Sequence, residues 1–496
     1  MRLLTVPELV IDAGQRFGAA AFLGDGTQTL GFATVAQRVA RGAGALRKHG
    51  VVAGDRVAIV APNGVEPIVA WLASIHAGAI PAVLNPSLTE PEFAYAFGDL
   101  TPRLVLIDSR NPSAAARAAS RAANIAQIDC ALASNEEPIE PTRALASDVA
   151  AIVYTSGTTS RPKGALVRHL AYTGAGQSMP AWLRLGEVEH LWAMLPFFHI
   201  NAQAYSLMTA LANGYRLTIS EKFRASTFWQ DAARLDVTVV NVIGAMLAIL
   251  AKGESADRVA GPLHLVYAAP ALEPSANRDF EARFGVRIAS GYGMSENVFG
   301  TIESATSRAK AGSIGRPRSH PAGLIPNEMR LVTPDGELAE PGAVGELQFR
   351  NAAVTPGYWN APEITAKALG GGWLHTGDAG YLDADGDIVL VARYKEMIRR
   401  RGENIAPGEV EDAIALHPDV IAVAVIGVPS PLSEEDVVAC VVARPNVVLD
   451  DVALRAWCEA RLASYKIPTR FIMRDALPLT PTMRVAKDRL KAEITA

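Results

Sequence analysis

Short runs of β-branched and leucine residues recur along the chain between longer alanine-rich stretches. RVAIV at 56–60, LVLI at 104–107, VTVV at 237–240 and LHLVY at 263–267 are each flanked by segments of helical length. Such alternation predicts an α/β fold with two parallel-sheet subdomains whose faces are covered by helices. The apolar stretch 68–84 is interrupted by Ser74, His76, Gly78 and Pro81, so it reads as a buried helix followed by a strand and not as a membrane span. From 312 to 388 the texture changes to closely spaced glycine turns and short alternating strands, including Pro334-Asp335-Gly336 and Asp385-Gly386-Asp387, which predicts a small β-barrel-like subdomain. After Arg393, helical patterns at 407–416 and 451–462 alternate with strands at 420–428 and 436–443, a separate small α+β domain of about a hundred residues. The alanine-rich stretch 113–131 predicts a surface helix.

Composition narrows the class. With 496 residues, 49% of them apolar, the chain can bury more than one core. A net charge of -4, with both signs interspersed, gives no electrostatic footprint for nucleic acid. The three cysteines, Cys130, Cys440 and Cys458, are too far apart for a paired zinc site, and their odd number argues against a disulfide framework. Charges and a proline interrupt the N-terminal segment where an export signal needs a continuous apolar core. A cytoplasmic protein without a membrane span is expected, and a homodimer is compatible with the sequence.

Candidate chemistry begins at residues 154–164, YTSGTTSRPKG, directly after the apolar run 149–153. Backbone N–H groups near glycine, the hydroxyls of Thr155, Ser156, Thr158 and Thr159, and the Lys163 ammonium form a set of donors suited to a polyphosphate. Five further segments follow in order. PFFHIN at 196–201 sets His199 among aromatics, and GYGMSE at 291–296 ends in an acid flanked by small residues, as a Mg²⁺ ligand beside a phosphate would be. WLHTGD at 373–378 offers a carboxylate able to accept from two ribose hydroxyls. The stretch 393–404 packs basic residues around Gly402, and 478–487 ends in Lys487.

With these six segments in this order, the chain resembles the acyl-adenylate-forming superfamily of acyl-CoA synthetases, peptide-synthetase adenylation domains and luciferases, over nearly its whole length. The central segments are most similar to bacterial acyl-CoA ligases of the crotonobetaine/carnitine and medium-chain fatty acid type. The resemblance implies a large adenylation domain at 1–392, a hinge at 393–395 with Lys395 at its pivot, and a mobile lid domain at 396–496. It also implies roles. Thr155, Ser156, Gly157, Thr158, Thr159 and Lys163 would wrap the ATP phosphates, and Glu296 would hold Mg²⁺ beside Gly293 and Ser295. Tyr292 would stack on adenine while the backbone of Ala268, Ala269 and Pro270 reads its edge. Asp378 and Arg393 would grip the ribose, His199 would sit beside the acyl carboxylate, and Lys487 would bridge that carboxylate and the α-phosphate. Gly402 would line a pantetheine tunnel, with the run Arg399-Arg400-Arg401 meeting CoA phosphates.

The implied activity is ATP-dependent conversion of a carboxylic acid to an acyl-AMP, then to an acyl-CoA. Two alternatives stay open: delivery of the acyl group to a carrier-protein thiol or an amine, and an inactive homologue that binds nucleotide or acyl group. Ser160, Ala392 and Ala486 stand where the family usually has glycine, and Ser295 where threonine is more usual; none removes a chemical group. His199, Asn201, Gln203, Asn241, Gly244, Ala269, Leu272, Gly291 and Met294 are candidate acyl-pocket positions, and their lack of a charged partner favours an uncharged acyl group of modest size.

Overall fold

A computed structural model describes residues 2–121, 125–132, 136–155, 162–252, 261–269, 274–303, 310–393, 396–400, 403–430, 434–445, 447–480 and 485–495. The expectations for Ser156, Gly157, Thr158, Thr159, Ser160, Pro270, Leu272, Lys395, Arg401 and Gly402 fall outside these residues. The chain divides into two compact units, one of residues 1–157, 161–329 and 349–374, the other of 158–160, 330–348 and 375–496.

The first unit carries two sheets. One runs in the order Ala126–Asp129, Leu104–Ile107, Arg56–Val60, Ile80–Leu84, Val149–Thr155, Lys163–Arg168, all parallel except the last, which turns back antiparallel on its neighbour. In the second sheet the strands Ala21–Gly24, Arg216–Ile219, His190–Ala193, Val239–Ile243, Leu265–Ala269 and Arg287–Met294 lie side by side in parallel. The antiparallel strands Asn297–Ile302 and Ser313–Pro317 extend it. These strands are near-continuous Val, Ile, Leu and Ala because helices cover both faces, and the core between them is anchored by Trp71, Tyr172, Phe22, Phe32 and Phe299. As expected, residues 65–76 form a helix and 80–84 a strand. No helix among the described residues is long and apolar enough to cross a membrane.

One expectation needs correction. Among the described residues the alanine-rich stretch is helical over Pro112–Arg121, whereas Ala126–Asp129 is an edge strand parallel to Leu104–Ile107. The open edge of the sheet offers ladder hydrogen bonds that outweigh a weak helical preference.

In the second unit, Leu374–Leu382 pairs antiparallel with Ile388–Arg393. Further along, the strands Val420–Pro429, Glu435–Ala443 and Arg470–Met473 form a three-stranded sheet. Helices Pro407–Ala415, Asp451–Glu459 and Lys487–Thr495 accompany it, giving the expected α+β pattern. Its core is Val425, Val437, Ala439, Val441, Ile414 and Leu454, all fully buried.

Candidate active site

Parallel strands end where the candidate residues begin. Asn201 follows the strand His190–Ala193, Gly244 follows Val239–Ile243, and Tyr292 and Gly293 close Arg287–Met294. The carboxyl ends of such strands are where α/β sheets place ligands, because the chain leaves each strand there with unpaired backbone groups.

Tyr154 and Pro162, on either side of the candidate phosphate-binding segment, are both tied to one helix. Glu90–Leu100 opens with a capping box between Thr89 and Glu92 and a proline in its first turn. From it, Asp99 accepts a 2.6 Å hydrogen bond from the Tyr154 hydroxyl, and the Tyr95 hydroxyl donates to the Pro162 carbonyl at 3.0 Å. Burial, and then the Asp99 carboxylate, push the Tyr154 phenol far above its ordinary pKa, so it stays a donor. Next to these ties Thr155 and Lys163 are register partners on antiparallel strands.

The segment 355–359 runs beside the strand Lys163–Arg168. Leu166 N–H donates to the Gly357 carbonyl, and Trp359 N–H donates to the Gly164 carbonyl. Gly357 sits at φ 147°, and a Cβ there would lie 2.5 Å from the Thr365 methyl, so only glycine fits. This pairing presents Tyr358 to two groups at once. The Lys163 ammonium lies 5.6 Å from its ring centroid, and its hydroxyl donates to Glu296 Oε1 at 2.7 Å.

Glu296 rises from the two-residue turn between paired Met294 and Asn297, and it is only 6% exposed. Its carbonyl accepts from Thr355 N–H at 2.8 Å, which fixes the turn. A single hard carboxylate suits Mg²⁺, which otherwise keeps waters and substrate phosphate oxygens. No cluster of three metal-binding side chains occurs among the described residues. The residues present fit Mg²⁺ held jointly with a polyphosphate.

Beside this turn, the Tyr292 ring lies nearly parallel to Phe349, centroids 6.1 Å apart, and a Cβ on Gly293 would meet the Tyr205 hydroxyl at 2.6 Å. Ala268 and Ala269 end their strand, and Ser295 shares the turn with Glu296. His199 is half-buried with its ring against Phe198, just before a π-helix at Asn201–Leu207, a geometry often found at functional sites. Asn63 holds this segment in place, donating to the carbonyls of Leu195 and Ser220 and accepting from Phe197 N–H. Asn241 donates to Asn201 and Ser206 at 3.3 and 3.0 Å. Gln203 is corrected as a pocket candidate. It is 1% exposed, accepts from the Tyr172 hydroxyl and donates to the Phe197 carbonyl, so both ends of its amide are structural.

In the second unit, Arg393 Nε lies 3.0 Å from Asp378 Oδ1, across paired strands. Glu346 sets the backbone before Asp378, accepting from Gly377 N–H at 3.0 Å while its other oxygen contacts His375 Nδ1 at 2.9 Å. Lys487 opens the last helix and lies 2.7 Å from Glu411 and 3.7 Å from Glu396. Ala486 N–H donates to the Pro478 carbonyl, so the position is accommodated with an alanine. Arg400 donates through Nη1 to the carbonyls of Tyr465 and Ile467, holding a turn of its own unit.

Sequence reasoning missed Tyr358, Asn63 and Glu346. The run GYWN at 357–360, a glycine followed by two aromatics and an amide, is the local signal that could have drawn attention to Tyr358.

The chain belongs to the AMP-binding enzyme family, whose model matches residues 11–359, with the family's C-terminal domain matching 409–484. A sulfoacetate–CoA ligase of Cupriavidus necator is 34% identical over 455 residues, covering 89% of this chain and 88% of that enzyme. An oxalate–CoA ligase of Arabidopsis thaliana is 31% identical, covering 88% of each. Among solved structures, the o-succinylbenzoate CoA synthetase of Bacillus subtilis, in complex with its acyl-adenylate, superposes with a TM-score of 0.88 at 27% identity over 98% of both chains.

Proposed function

We propose that the chain is an AMP-forming acid–thiol ligase that converts a carboxylic acid to its acyl-AMP with ATP and then to its CoA thioester. In the first step a carboxylate oxygen bonds to the α-phosphorus and the bond to pyrophosphate breaks. In the second a thiol, losing its proton, bonds to the acyl carbon and AMP leaves. Two anions have to meet in the first step, so cations aimed at the developing charge decide the rate.

The observation that carries this reading is the chain Lys163–Tyr358–Glu296, a cation, an aromatic hydroxyl and a hard carboxylate brought together at the start of the strand Lys163–Arg168. Lys163 would meet the terminal phosphates. Glu296 would hold Mg²⁺, which when bound neutralises phosphate charge. Tyr358 would orient Glu296 and keep it from collapsing onto Lys163. Asp378 and Arg393 would grip the ribose through an acceptor and a donor, and Lys487 would supply the charge that bridges carboxylate and α-phosphate.

The acyl group would lie among His199, Asn201, Asn241, Gly291 and Met294. The amide pair of Asn201 and Asn241 supplies polarity without net charge, which supports a small polar or weakly polar acid. The protein is tested with ATP, a panel of short carboxylic acids, and either CoA or a carrier protein bearing pantetheine. Thioester on CoA is expected. Acyl-AMP that accumulates despite CoA, with transfer only to the carrier, would assign the acceptor differently.

A further inference from the structure

Lys487 heads a helix, where the positive end of the helix dipole opposes an ammonium group. Its charge is compensated within its own unit. The ammonium lies 2.7 Å from Glu411 Oε1 and 3.7 Å from Glu396 Oε2, and its side chain is 20% exposed. Glu411 is itself fixed, since the same Oε1 accepts from Val425 N–H at 2.7 Å, tying the helix Pro407–Ala415 to the strand Val420–Pro429. The carboxylate therefore stands in a set position whether or not the lysine is on it.

A lysine neutralised by two carboxylates cannot at the same time neutralise a carboxylate and an α-phosphate. Building on the catalytic reading of Lys487 above, we propose that Glu411 is a positioning residue: it is the resting counter-ion of Lys487, and adenylation has to break this ion pair. Glu411 then competes with the substrate anions for one cation. The enzyme's apparent affinity for substrate in the adenylation step is lowered by the fraction of molecules in which the lysine is paired. Once pyrophosphate has left, return of the lysine to Glu411 withdraws its charge from the acyl phosphate.

The test compares wild type, Glu411→Gln, Glu411→Asp and Glu396→Gln. Glu411→Gln retains an acceptor for Val425 N–H while removing the charge. Modification of Lys487 by acetic anhydride in the intact protein, followed by peptide mass spectrometry, is expected to speed up about three- to fivefold in Glu411→Gln. The KM for ATP and acid in pyrophosphate exchange is expected to fall by a similar factor with kcat changed less, and Glu411→Asp is expected to move both readouts back toward wild type. Glu396→Gln, at the longer distance, is expected to shift both in the same direction by less, and it carries the test if Glu411→Gln does not fold. Unchanged labelling of Lys487 with an unchanged or raised KM overturns the proposal. Lys487→Ala separates this from the parent reading: acid-dependent exchange at the wild-type rate in that variant would remove the catalytic role itself, whatever the labelling shows.

Discussion

Arg393 and Asp378 face each other as register partners on antiparallel strands, with Arg393 Nε 3.0 Å from Asp378 Oδ1. The pair sets an acceptor and a donor side by side, and Glu346 fixes the backbone in front of it through Gly377 N–H. Substituting Asp378→Ala leaves the Arg393 guanidinium without this partner and, in the proposed role, would deprive a bound ribose of its acceptor. The expected loss in kcat/KM for ATP is about a hundredfold, from roughly 2–3 kcal/mol for a charge-assisted hydrogen bond in a partly enclosed site. Wild type should prefer ATP over 2′,3′-dideoxy-ATP, and the variant should lose most of that preference. A preference retained in full would remove the ribose role.

Tyr358→Phe keeps the ring over Lys163 and deletes only the hydrogen bond to Glu296. The expected cost is about 1–2 kcal/mol, or roughly tenfold in kcat/KM for ATP. Because the hydroxyl orients a carboxylate expected to hold Mg²⁺, the Mg²⁺ concentration giving half-maximal rate should rise as well. A titration of rate against Mg²⁺ that superposes on wild type would contradict this placement.

Asp99 lies on the helix Glu90–Leu100 and meets Tyr154, which precedes the candidate phosphate loop. Its carboxylate accepts from Tyr154, and its backbone carbonyl accepts from Trp359 and Asn360. Asp99→Asn weakens the first tie and leaves the others. An increase in KM for ATP of about five- to tenfold is expected, with the KM for the acid nearly unchanged. Steady-state kinetics in both substrates measure the difference.

Two buried histidines set an acid limit on stability. Burial holds His169 down at about 4, and its Nδ1 accepts from Val6 N–H. Burial and then the Arg216 charge hold His190 at about 4 too, with its ring nitrogens on Thr218 and the Asp236 carbonyl. Each is harder to protonate in the fold than in the unfolded chain, whose histidines titrate near 6.5. The unfolded chain therefore binds more protons between these values. The contribution of these two groups to stability is fully present above about pH 6.5 and is lost as pH drops toward 4. His169→Gln keeps an acceptor without titrating, and it should remove up to about 3 kcal/mol of the pH dependence in this window, read from urea unfolding at a series of pH values.

Much of the fold was legible because buried parallel strands need unbroken apolar runs, and RVAIV or LVLI can hardly be anything else. Glu296 was legible for a local reason. Small residues before it and a two-residue turn beneath it are features of adjacent sequence. Tyr358 meets Glu296 across 62 positions and Asn63 meets Leu195 across 132; GYWN could have flagged Tyr358 itself, but not the partner it meets. They join turns and loops that come together only once the sheets have formed. The stretch 126–129 failed for a related reason, since alanine preference is worth tenths of a kcal/mol per residue and a free sheet edge offers more. Gln203 was misplaced because a sequence does not show whether an amide next to a pocket faces it or, as here, binds Tyr172 and Phe197.

The most direct measurement is acid-dependent pyrophosphate release from ATP across a panel of short carboxylic acids, with and without CoA, in wild type and Lys487→Ala. Release is expected with at least one small acid, accompanied by AMP and acyl-CoA when CoA is present. Lys487→Ala should lose at least roughly a hundredfold of that rate, about 3 kcal/mol of transition-state stabilisation. Absence of acid-dependent release in wild type across the whole panel would contradict the account.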